Sequence, residues 1–85
     1  GIDGGAVQRI LTDNANVYAF LREKDGNKVV VVVNLSPHEQ EVMLEHEHMA
    51  GGYKDVFDDS YTSVPKAFSL ELAPWGYLVL SNHRD

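Results

Sequence analysis

Eighty-five residues hold one domain and no more, because domains run from about 50 to 250 residues, and this excludes two lobes with a catalytic cleft between them. The absence of cysteine excludes disulfides, zinc ribbons, thiol nucleophiles and iron–sulfur clusters together. Seven Lys and Arg against thirteen Asp and Glu leave a net charge of −6. So acidic a chain has little to draw it onto phosphates or anionic lipid, and neither nucleic acid nor a membrane surface is an expected partner.

Apolar residues come in short runs separated by turn residues and never keep helical spacing for more than about two turns, which predicts an all-β chain. The expected strands are 7–12, 17–23, 28–35, 40–45, 53–57, 68–72 and 76–81. Seven to eight short strands in so few residues fit a small antiparallel β-sandwich. Residues 1–4 are read as a cloning residue and linker remnant, and 5–85 as the domain.

Between the second and third strands, Asp25-Gly26 tolerates the positive φ of a two-residue hairpin turn. A loop of Asp25-Gly26 sets Leu21 against Val30, and a loop of Gly26-Asn27 sets it against Val32. Either register divides the hairpin into the same two faces, since side chains alternate along a strand. Val17, Ala19, Leu21, Val30 and Val32 form one; Tyr18, Phe20, Arg22, Val29, Val31 and Val33 form the other. Both are apolar, whereas a lone sandwich shows polar residues outside. The second face, with its Tyr and Arg, is therefore the candidate interdomain interface. Along 40–45, Val42 and Leu44 point inward and Glu41, Met43 and Glu45 outward. Four glutamates between Glu39 and Glu47 are expected to protect a sheet edge. Gly51-Gly52 turns the chain, and 58–65 reads as a polar loop.

Motifs with catalytic content are scarce. His46 and His48 would share one strand face, the spacing of a pair of metal ligands, but lack a third inward ligand, so no metal site is assigned. Asp55, Asp58 and Asp59 lack the alternating oxygens and closing Glu of a calcium loop and read as a solvated turn. Ser36-Pro37-His38 has no strained elbow around its serine. No carboxylate pair is singled out for glycoside hydrolysis, so no catalytic residue is assigned. Tyr53, Trp75 and Tyr77 are the candidate carbohydrate-binding aromatics, set against the plainer role of packing in a sandwich.

Val17-Tyr-Ala-Phe-Leu-Arg22, the run Val29 to Val33 followed by Asn34-Leu-Ser36, Tyr53-Lys-Asp-Val-Phe57 and Leu70-Glu-Leu-Ala-Pro-Trp-Gly-Tyr-Leu-Val-Leu80 together resemble the C-terminal β-sandwich domain of the α-amylase family of glycoside hydrolases. The likeness extends from Gly5 onward. It implies a non-catalytic accessory domain of an α-glucan-acting enzyme of the α-amylase, cyclomaltodextrinase or pullulanase type. In that family the catalytic carboxylates sit on a preceding (β/α)8 barrel, which would be this domain's partner and the cover for its second face. Gly4-Gly5 would follow the last barrel helix. No cofactor is implied here, though a structural calcium elsewhere in the parent enzyme is compatible. The alternatives are a carbohydrate-binding module taking α-glucan and an unrelated immunoglobulin-like interaction domain. A periplasmic or secreted parent is preferred to a cytoplasmic one.

Overall fold

The computed structural model describes residues 6–82; the linker remnant assigned to 1–4 and the Gly4-Gly5 pair lie outside them. All described elements are strands: β1 (Ala6–Arg9), β2 (Leu11–Thr12), β3 (Val17–Lys24), β4 (Asn27–Asn34), β5 (Gln40–Glu45), β6 (Gly51–Asp55), β7 (Tyr61–Val64), β8 (Ala67–Leu72) and β9 (Tyr77–Ser81). They pair antiparallel throughout into a six-stranded sheet, in the order β1-β3-β4-β9-β6-β7, and a three-stranded sheet, β2-β5-β8. The architecture is the small sandwich expected.

Asp25 and Gly26 form the hairpin turn with φ of 54° and 83°, as a twisted two-residue turn requires. Leu21 accordingly faces Val30. Val17, Ala19, Leu21, Val30 and Val32 are buried between the sheets against Val42, Leu44 and Leu72 from the smaller sheet. Ile10, Met49, Tyr53, Val64 and Leu80 complete the core.

Expectations for three stretches of the chain need correction. The run 7–12 is two strands in different sheets, with Ile10 as the corner: its side chain is buried and its N–H donates to the Ala19 carbonyl at 3.0 Å. Adjacent apolar residues Ile10 and Leu11 break strict alternation, which is how a strand changes sheets. The polar loop 58–65 contains β7, a short edge strand against Gly51–Lys54 of β6. Gly51 and Gly52 are thus strand residues, and β6 ends earlier than expected because the Asp55 carboxylate accepts hydrogen bonds from Phe57 N and Asp58 N.

The third correction concerns the glutamate-rich strand. β5 lies at the centre of its sheet, between β2 and β8, so its glutamates decorate the outer face and protect no edge. Glu41 is directly opposite Glu71, and like charges so placed repel by roughly 0.2–1 kcal/mol. Glu71→Lys is therefore expected to stabilise the domain by about that amount, read as a higher urea midpoint at low ionic strength; an unchanged or lower midpoint contradicts it.

Candidate functional site

The feature most unlike a solvated sandwich is the outer face of the six-stranded sheet. Antiparallel partners share a face, so the register assembles it row by row. Val7, Arg22 and Val29 align across β1, β3 and β4; Arg9, Phe20, Val31 and Val79 across β1, β3, β4 and β9; Tyr18, Val33 and Tyr77 across β3, β4 and β9. Val7, Tyr18, Phe20 and Tyr77 are exposed, and Val29, Val31, Val33 and Val79 are half-buried.

Its aromatic groups are ordered against one another. Tyr18 and Phe20 stack with centroids 6.4 Å apart and planes 13° from parallel, and the Arg9 guanidinium lies 4.7 Å from the Tyr18 centroid. At the other side, exposed Phe57 meets Tyr77 edge-on at 5.4 Å and 81°. All six hairpin residues of the candidate interface thus lie on one face. Sequence reasoning missed Val7, Arg9, Val79 and Phe57 as members. The alternation Tyr77, Leu78, Val79, Leu80, apolar on both sides like the hairpin, was the available signal for Val79; nothing local pointed to Phe57.

The three carbohydrate candidates do not form one platform. Tyr53 is 1% exposed and its hydroxyl donates to the Met49 carbonyl at 2.7 Å, so it is a core residue and is removed from the sugar-binding set. Its inward parity on β6 sends the ring between the sheets. Tyr77 belongs to the apolar face. Trp75 is 60% exposed in the turn 73–76, closed by Gly76 N–H donating to Ala73 O at 2.7 Å. Pro74 and a residue at positive φ are the pattern of a type II turn, yet that residue is Trp75, with φ 56°. Gly76 is required there, because a Cβ would stand 2.8 Å from the Ala73 carbonyl oxygen.

Burial, with the Glu23 carboxylate adding to it, pushes the Tyr53 phenol above its ordinary value of 10.0. A raised folded-state value means the native state keeps this proton to higher pH than the unfolded chain does. Its contribution is complete below about pH 10 and lost as pH rises through the folded value. Tyr53→Phe is expected to cost about 1–2 kcal/mol at neutral pH, because a buried carbonyl loses its donor, and to flatten the alkaline limb of stability above about pH 10. Urea melts between pH 7 and 11 test this. An alkaline limb as steep as in the unsubstituted protein would contradict it.

The remaining motifs are occupied locally. His46 and His48 lie past the end of β5, with rings 5.7 Å apart and tilted 52°; His46 Nδ1 accepts the His48 backbone N–H at 3.0 Å. Among the described residues, no group of three or more His, Asp or Glu is placed to hold a metal ion. Ser36 Oγ accepts from the backbone N–H of His38 and from Gln40 Nε2, so the neighbouring imidazole is not its partner. Two hydrogen bonds from Ser60, side chain and backbone, hold the Asp58 carboxyl below the usual carboxylate range.

The family model of the maltogenic amylase C-terminal domain matches residues 7–79. Among solved structures, maltogenic α-amylase AmyB from Thermotoga neapolitana superimposes with a TM-score of 0.72 at 20% identity, over 95% of this chain and 21% of that one. AmyP, crystallised with maltose, gives 0.72 at 21% identity over 91% and 16%. The trehalose-6-phosphate hydrolase TreA of Bacillus licheniformis gives 0.66 at 29% identity over 91% and 14%. No curated protein matches. The chain therefore spans 14–21% of the length of these three structures. The fold defines a small β-sandwich domain of two antiparallel sheets. It belongs to the maltogenic amylase C-terminal domain family, within the α-amylase class of glycoside hydrolases.

Proposed function

We propose that this domain serves an α-glucan-acting glycoside hydrolase by docking the outer face of its six-stranded sheet on the (β/α)8 catalytic barrel of the same chain, stabilising the barrel without turning over substrate. The observation that carries this reading is the apolar face continuous over β1, β3, β4 and β9. The largest contiguous apolar patch exposed on a monomer is often a contact site. The test is the full-length enzyme bearing Phe20→Ser with Val31→Ser. Separation of a single thermal transition into two, or a barrel transition lowered by several degrees, supports docking through this face. A thermal profile identical to that of the unsubstituted enzyme overturns it.

Trp75 favours a second reading, α-glucan binding, because a large ring is held exposed at a backbone angle that costs about 1 kcal/mol or more. Titration with maltoheptaose, followed by chemical shifts, decides it. Shifts centred on Trp75 and abolished by Trp75→Ala support binding, and no shifts at millimolar sugar overturn it.

A further inference from the structure

Charge is divided between the two outer faces. On the six-stranded sheet the strands place Arg9, Arg22, Lys24 and Lys54 outward, four of the seven Lys and Arg in the chain. No outward strand position of that sheet is Asp or Glu, although the chain has thirteen of them. Glu23 and Asp55, the carboxylates in its strands, have inward parity. The three-stranded sheet is the reverse: Glu41, Glu45 and Glu71 point outward and its strands contain no Lys or Arg.

Within the cationic face the two arginines have distinct places. Arg9 lies over the Tyr18 ring on β1, beside exposed Phe20. Arg22 lies two residues further along β3, opposite Val7 and Val29. Lys54 is on the far side, 3.4 Å from Asp59 of the adjoining turn. Three of the four outward cations, Arg9, Arg22 and Lys24, thus lie along β1 and β3, with Asp25 of the hairpin turn beside the last two, and the apolar centre runs through β4 to β9. Protection of an edge strand is served by charge of either sign. Absence of carboxylates from the outward strand positions, in a chain of net charge −6 and with turn residues Asp25 and Asp59 standing beside the cations, is the pattern that complementarity to an acidic surface would leave.

We infer that the surface seated on this sheet is an apolar patch whose rim carries carboxylates over Arg9 and Arg22, so that charge fixes which way the domain docks while the valines and aromatic rings supply contact area. The inference rests on the docking reading above and names the chemistry of the barrel surface. It also leaves the Glu41, Glu45 and Glu71 face toward solvent, where it would be repelled by the same carboxylates.

The test uses the full-length enzyme with Val31→Cys, which places a thiol at the centre of the face, and reads its alkylation rate on the peptide containing residue 31. Slow alkylation at about 50 mM salt, accelerated about tenfold or more by Arg9→Glu with Arg22→Glu and also by about 0.5 M NaCl, is the expected result. Glu41→Lys with Glu71→Lys, on the other sheet, should leave the rate unchanged. Circular dichroism of each variant keeps loss of folding separate from loss of docking. Fast alkylation without any charge reversal overturns the docking reading itself. Slow alkylation indifferent to the Arg→Glu pair and to salt overturns the acidic-rim inference and leaves docking intact.

Discussion

Leu21→Ser is expected to cost this domain about 3–5 kcal/mol, and Phe20→Ser, one residue away, about 1 kcal/mol or less. Leu21 is fully buried between the sheets, where losing a large aliphatic side chain costs about 2–5 kcal/mol and an unpartnered hydroxyl adds about 1–3. A domain of this size has only about 4–13 kcal/mol of stability in total, so the Leu21 variant should lose a large share of it. Phe20 is 36% exposed and its ring contact is the neighbouring Tyr18. Removing it opens no cavity in the core, and substitutions of this kind lie near the surface average. Urea midpoints of the two variants separate the cases. A Phe20 variant more damaged than the Leu21 variant would mean that the hairpin faces are reversed, and the proposed docking surface would fall with them.

That hairpin was the most legible part of the sequence, for a physical reason. Asp25-Gly26 supplies the turn, and strict alternation then binds Leu21, Val30 and Val32 to one face whatever the exact loop. The position of β5 was not legible in the same way. Its inward Val42 and Leu44 and outward Glu41 and Glu45 follow from parity, but centre or edge depends on which strand comes to pair with it. β8 is 22 residues away or more, and it sets Glu41 against Glu71 despite the repulsion. β7 was hidden because an exposed edge strand of four residues, Tyr61–Val64, buries only Val64 and so has no alternation to display.

Of the candidate site, the part built from parity was readable and the part built from tertiary contact was not. Tyr18, Phe20 and Arg22 are committed to one face by the residues between them. Tyr53 has Gly52 before it and Lys54 after it, which say nothing about whether its ring is inside; the pairing of β6 with β9 and the Met49 carbonyl in the core show that it is. Phe57 reaches the face by way of the turn after β6, and its meeting with Tyr77 joins residues 20 apart. Trp75 was noticed for its ring, but the unusual feature is its backbone: Pro74 beside it is suited to the turn, while positive φ at a tryptophan has no sequence signature.

The backbone around Trp75 depends on a buried amide, and this gives the prediction with the clearest pH signature. Asn34, at the end of β4, is fully buried and its Nδ2 donates to the carbonyls of His38 and Ala73, both at 2.9 Å, with that of Leu72 at 3.5 Å. Three carbonyls around one end of the amide identify that end as the nitrogen. Trp75 N–H donates to Ser36 O and Asn34 N–H donates to Gly76 O, so one residue ties the 36–38 loop to the turn that holds Trp75. Asn34→Asp keeps the shape but, once ionised, turns a carboxylate toward carbonyl oxygens. The folded state then favours the protonated acid, which raises its folded value above the unfolded value of about 3.9. With that sign, the variant's deficit relative to the unsubstituted protein is least near pH 4, about 1 kcal/mol for the one donor lost, and grows by up to about 1.4 kcal/mol per pH unit until the folded value is passed, reaching about 3 kcal/mol or more at pH 7. Asn34→Leu, with no proton to gain, should cost about 2–4 kcal/mol at both pH values, because two carbonyls lose their donor. Urea melts of all three proteins at pH 4 and pH 7 decide the matter. An Asn34→Asp deficit that does not change between the two would show that the amide does not hold this end of the sandwich together.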